Sequence, residues 1–253
     1  MLRVLLTVIL LAVLSAPSLG EQIAVYTHSS DDASFIDADG YLRGIEHGGR
    51  RAFLVELVRE IMLDLGLSPR IENVPLNRGL KLIAGGSSSA FFNVDRIDSR
   101  KQLYRWVGPL QEDSINFFEN RLKPTRIRSL KDAAKVESIC VMRGNSHEQR
   151  LQQLGFNNLF QANAYRSCWE MVQLGRVDLM TLGANLEATM YKPGEDEELL
   201  VVNTGIPLGH TRGYLAFSLD VPQGTADLWQ AALEKIRSSG RYNQLYDAYF
   251  WPH

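Results

Sequence analysis

From Gln22 onward, helical and extended apolar patterns alternate along the chain, and this alternation constrains the fold more than any other feature of the sequence. Strands separated by helices return through crossovers rather than hairpins, so the pattern predicts an α/β fold with a largely parallel sheet. The clearest helix is predicted near Arg51 to Leu65: Phe53, Leu57, Ile61 and Leu65 recur every fourth residue, Leu54 and Val58 widen the apolar stripe, and Gly66 caps the end. A strand around Arg70 to Pro75, a short helix from Asn77 to Ile83 and a strand from Ala90 to Val94 follow. An extended segment from Ser114 to Glu119 precedes Pro124, and Ser129 with Asp132 has capping-box spacing, so a second unit begins there. In it, the strand Ser138 to Met142 feeds a helix starting at Ser146, with Gln149 three residues on and Gly155 past its end. A helix carrying Tyr165, Cys168, Trp169 and Val172, then a strand from Val177 to Leu182, repeat the logic. After Leu199 to Asn203, the cluster Gly205, Pro207, Gly209 and Gly213 reads as a crossing between the units before the extended Tyr214 to Leu219. Two helices close the chain, one from Thr225 to about Ser239, the other carrying Tyr242, Leu245, Tyr246 and Tyr249.

The first residues carry a separate message. Arg3, the apolar run Val4 to Leu14 and the small residues Ser18 and Gly20 before Glu21 have the form of a cleavable signal peptide over residues 1–20. The run is too short to cross a bilayer, and no later stretch approaches the roughly 18 apolar residues a spanning helix needs. No cysteine near the cleavage point offers a lipid acceptor, so a freely diffusing periplasmic monomer is expected. The remaining length, about 230 residues, suits one large domain or two lobes. Lys and Arg number 27 against 29 Asp and Glu, a balance that offers nucleic acid no basic surface. Cys140 and Cys168 are the two cysteines, and in an oxidising compartment they are expected to bridge. The five histidines show no metal-ligand spacing, so neither metal nor cofactor is expected.

Several stretches in order resemble the family 3 extracellular solute-binding proteins of ABC importers. They are Asp37-Ala38-Asp39-Gly40-Tyr41-Leu42-Arg43-Gly44, the helix ending Leu65-Gly66-Leu67, the run Asp95 to Arg100 followed by Val107-Gly108-Pro109-Leu110, then Ser129 to Asp132, Gly175 to Asp178, and Gly240 to Tyr246. The resemblance covers nearly all of the chain after the signal peptide. It implies a two-lobed periplasmic binding protein type II fold, each lobe a mixed, mostly parallel sheet flanked by helices. Residues 21–118 and 212–253 would form lobe one and residues 119–211 lobe two, with hinge crossings near 119–123 and 205–212. A small-molecule solute would sit between the lobes, and ABC-importer membrane subunits or a sensor domain would be the partners.

The resemblance also implies site residues. Arg100 matches the arginine that meets a ligand carboxylate, a task suited to a planar fork that stays charged. Asn145 and Ser146 match residues at a helix N-terminus in lobe two, where free backbone N–H groups and the helix dipole favour an anion. Arg78, with Asn77, opens a helix whose start often points into the cleft. Asp95 stands where serine or threonine is common, and Asp31 and Asp32 where an aromatic side chain often covers the ligand. The usual carboxylate for an α-ammonium group aligns with Gly183, so either one of these aspartates substitutes or the solute lacks that group.

Three functions are compatible with these residues. The first is capture of a small polar carboxylate-bearing, amino-acid-like solute for transport or sensing. The second is a periplasmic dehydratase of the cyclohexadienyl dehydratase type, for which Glu187 is the candidate general acid. The third is a non-transporting partner protein that keeps the fold. His210 is read as a surface or structural group, and Trp106 and Trp169 as core.

Overall fold

Ser89–Asp95 is buried along almost its whole length, and a strand buried on both faces belongs inside a sheet. The computed structural model describes residues 23–183 and 200–250 and places that strand, β5, third in an eight-stranded sheet. In chain order the first part comprises β1 (Ala24–Thr27), β2 (Ser34–Ile36), β3 (Leu42–Gly44), α1 (Gly49–Asp64), β4 (Ile71–Asn73), α2 (Leu76–Ala84), β5 and the long β6 (Arg105–Asn120). The second comprises α3 (Leu130–Ala133), β7 (Ile139–Met142), α4 (Ser146–Gln153), β8 (Leu159–Ala162), α5 (Tyr165–Gln173) and β9 (Leu179–Gly183). Long β10 (Val201–Phe217) and the helices α6 (Gln223–Ser238) and α7 (Arg241–Tyr249) end the chain. Among these residues no helix is long and apolar enough to cross a membrane.

The sheet order is β4-β1-β5-β10-β6-β9-β7-β8. Parallel pairs at each end, β4-β1-β5 and β9-β7-β8, are joined through antiparallel β10 and β6. The two halves therefore share one continuous mixed sheet. β6 and β10 pair from Asn120 opposite Val201 to Arg105 opposite Phe217, with register shifts beside Pro207, Gly209 and Gly213. The predicted crossing loop is thus a strand: backbone that proline and glycine deny to a regular ladder is absorbed as bulges.

One core packs Phe53, Leu57 and Ile61 of α1 against Phe92, Trp229, Leu233 and Tyr249. Another gathers Phe117, Ile139, Val141, Leu151 and Leu179 in the second half. Each fully buried side chain of this size contributes roughly 1.5–3 kcal/mol. Between them a third cluster runs from Phe91 in β5 to Trp169 in α5, and includes Cys140 and Cys168, which form a disulfide. Trp169 is core, as expected, and Trp106 is half-buried.

Two local expectations need correction. α1 begins two residues earlier than predicted and is buried on nearly every side, with only Glu60, Leu63 and Asp64 not buried, because the β2–β3 hairpin, the sheet and α7 all pack on it. The cap of α4 is Asn145, not Ser146: the Asn145 side chain accepts from the Glu148 amide at 2.8 Å. Ser146 is thereby released from capping.

Candidate functional site

The carboxyl ends of β1, β5 and β7 face the N-terminal ends of α1, α4 and α5, the arrangement in which open α/β sheets place their ligands. A cavity of about 20 Å³ lies there, lined from the first half by His28, Arg50, Arg51, Asn93, Asp95 and Arg100. Asn145, Ser146, His147 and Tyr165 line it from the second half. That volume is the room of about one water molecule, so the two walls stand close together here.

Arg100 leaves a helical turn, its own amide bonded to the Ile97 carbonyl at 2.9 Å. Its guanidinium crosses the cleft and donates from Nη2 to the Gly144 carbonyl at 2.7 Å, immediately before α4. Gly144 has φ +76°, and a Cβ there would stand 2.5 Å from Asn77 Oδ1, so a side chain from the first half packs directly on this backbone. Burial lowers the Arg100 pKa from its ordinary value, and Asp95 opposes that shift.

Asp95 ends β5 and takes hydrogen bonds from the Ser146 and Thr211 hydroxyls. A carboxylate of the chain itself thus stands against the first turn of α4, where helix amides lack intrahelical partners. Asn145 Nδ2 also donates to the Tyr165 hydroxyl at 3.0 Å. Of the residues singled out in the sequence, Arg100, Asn145, Ser146 and Asp95 meet in one place. Arg78 and Asn77 are exposed, and Arg78 is not in the cavity wall. Asp32 is exposed at the cleft edge and pairs across it with Arg166 at 3.5 Å. Asp31 accepts from Asn73 Nδ2 at 2.7 Å. His210 is exposed and lines an adjoining groove of about 960 Å³ that shares Asp95 and Ser146 with the cavity. Gly183 ends β9 opposite Ile115, and Glu187 lies outside the described residues.

Sequence reasoning missed the cations at the start of α1. Arg50 and Arg51 are 5 % and 6 % exposed, in the first helical turn, where the dipole disfavours positive charge. That local conflict was the available signal. Arg50 Nη1 lies 3.8 Å from Asp113, and Gly213 makes room for it, since a Cβ there would meet Arg50 Nη2 at 2.9 Å. Arg51 Nη1 donates to the His28 carbonyl at 2.7 Å, and its guanidinium lies 5.7 Å from the Tyr165 ring centre across the cleft. Burial pushes its pKa down to about 10.

The two histidines are held neutral. His28 Nε2 is 3.0 Å from the Asn93 carbonyl, which can only accept, so Nε2 carries the proton and Nδ1 faces Arg51 as an acceptor. Burial and the neighbouring Arg51 drive its pKa well below the usual histidine value. His147 Nδ1 meets the Thr181 hydroxyl at 3.2 Å, and burial takes its pKa to about 4.

No protein-family model matches the sequence, and no curated protein matches it. Solved structures do. An amino acid ABC transporter substrate-binding protein from Streptococcus pneumoniae bound to L-arginine is 15 % identical, with 89 % of this chain and 92 % of that chain covered and a TM-score of 0.69. A histidine kinase sensor domain with similarity to periplasmic binding proteins is 16 % identical, with 92 % and 99 % covered and a TM-score of 0.73. The chain has the two-lobed binding-protein fold. An ancestral amino acid-binding protein described as a precursor of cyclohexadienyl dehydratase, 18 % identical over 91 % of this chain and 96 % of that one, matches with a TM-score of 0.71.

Proposed function

We propose that the protein captures a small carboxylate-bearing solute between its two halves and presents it, in the periplasm, to an ABC importer or a sensor. The observation that carries this reading is Arg100 reaching from the first half to the backbone just before α4 in the second. A solute carboxylate held by both the guanidinium and the helix tip would favour the closed state, because only contacts made to both halves can bias closure. Asp95 at Ser146 supports it, since that position already accommodates a carboxylate oxygen. Structural similarity to importer and sensor proteins supports the setting, and the signal-peptide pattern of residues 1–20 supports export.

The same reading takes the halves as lobes pivoting in the crossing strands. β6 acquires β9 as a neighbour from Ile115, and β10 acquires β5 from Gly213, which supports a pivot near residues 111–115 and 209–213 in place of the expected 119–123 and 205–212.

A thermal-shift screen of carboxylates and amino acids tests the function. A true solute at a hundredfold excess over its Kd raises stability by about 2.7 kcal/mol, and Arg100→Met removes the effect. Absence of any shift across the panel would overturn the reading.

A further inference from the structure

Arg100 and α4 account for one anionic group, and a second cluster of donors lies elsewhere on the cavity wall. Arg50, Arg51 and Arg100 bring three guanidinium groups, against the carboxylates of Asp95 and of Asp113 beside Arg50. The hydrogen bonds of Arg51 go to His28, and among the described residues no ion pair joins it to a carboxylate. His28, the group it faces, is a neutral acceptor and supplies no counter-charge.

Two further donors in the same wall are unsatisfied. Among the described residues, Arg50 Nε and Asn93 Nδ2 are both buried without a hydrogen-bond partner, in side chains 5 % and 7 % exposed. Buried polar atoms are rarely left so, because each orphan costs about 1–3 kcal/mol. Asn93 moreover holds φ +66°, a conformation uncommon outside glycine and concentrated at functional sites. Orphan donors, a guanidinium without an ion pair among the described residues and the amino end of a sixteen-residue helix therefore converge on one wall. Each is the complement of an anion.

We infer that Arg50, Arg51 and Asn93 form a second anion subsite in the cleft, so that the captured solute is a small organic dianion. This rests on the capture reading above: one anionic group meets Arg100 and α4, the other meets the start of α1. The missing carboxylate at Gly183 agrees, since a dianion brings no ammonium group that needs one. Opening at the crossing strands admits the solute, because the closed cavity of about 20 Å³ is smaller than any such molecule.

Calorimetric titration of the full-length exported protein tests this with short dicarboxylates (malonate to glutarate), phosphonoacetate, the monocarboxylates propionate and butyrate, and the zwitterions L-alanine and L-glutamine. Dianions are expected to bind at least about tenfold more tightly than monocarboxylates of equal length, and the carboxylate and phosphonate arms distinguish the two chemistries. Arg51→Met removes that advantage while monocarboxylate binding persists, and it raises the melting temperature of the unliganded protein by relieving an unneutralised buried charge. Asn93→Asp, which keeps the backbone conformation accessible and adds a like charge, gives the same loss should Arg51→Met fail to fold. Equal affinity for mono- and dianions, or zwitterions bound best, overturns the second subsite and leaves the Arg100 reading standing. Absence of binding by every carboxylate overturns both.

Discussion

Asp95 shows how one side chain sets the charge state of a buried wall. Its carboxylate links Ser146 in one half to Thr211 in a crossing strand and favours the charged form of Arg100 against the effect of burial. His147 makes the same point about pH. Its folded-state pKa of about 4 lies below the ordinary value of 6.5, so the unfolded chain takes up a proton that the folded one refuses. The stability this neutral histidine contributes is complete above pH 6.5 and is lost as pH falls towards 4. His28 adds to the loss, since its pKa is shifted in the same direction. Urea denaturation at pH 7 and pH 4.5 should show this decline, and His147→Gln should flatten it. An unchanged slope in that variant would mean that other groups govern acid sensitivity.

At the scale of elements, the main helices and β4, β5, β7 and β9 were legible in apolar periodicity within a few residues at each end, while the short strands β1, β2, β3 and β8 were not delimited. β6 and β10 were legible only in pieces. The middle of β10 is Gly- and Pro-rich and reads as a crossing, but each strand is held by the other along its length, and pairing overrides local propensity. α1 was legible as a helix but not as a buried one, because what covers its outer face comes from α7 at the far end of the chain. The disulfide joins β7 to α5 across 28 residues and ties a strand of the second half to the helix packed on it. Closing a loop of that length restricts the unfolded chain by about 3 to 4 kcal/mol. Reduction, or a Cys140→Ala and Cys168→Ala double variant, should therefore lower unfolding stability by about that amount in denaturant titrations. A change under about 1 kcal/mol would show that native-state strain cancels the gain.

For the whole molecule, closure rests on contacts scattered along the cleft. Arg100 reaches Gly144, Ser146 reaches Asp95, Ser99 donates to Gln149 at 3.0 Å, and Arg166 pairs with Asp32. Several of these are partly exposed, and exposed polar pairs each contribute little, so removing two of them is expected to loosen the cleft. A compact chain of about 230 residues has a radius of gyration of roughly 17 Å. Solution scattering of a Ser146→Ala, Arg166→Ala double variant should exceed the parent value, and saturating solute should restore it. Identical profiles would place closure in the crossing strands and not in the cleft.

Composition and periodicity alone determined an α/β chain with two units and many of its strands and helices, while the arginine suited to a carboxylate came from the resemblance of its motif to a known family. Those properties are local: they depend on which residues recur at which spacing. Tertiary structure alone decided that Arg78 faces solvent, that Ser146 bonds Asp95 instead of capping its helix, and that Arg50, Arg51, His28 and Asn93 share one wall with Arg100. Burial and electrostatic neighbourhood are properties of how distant segments meet, and no spacing along a single chain encodes them directly.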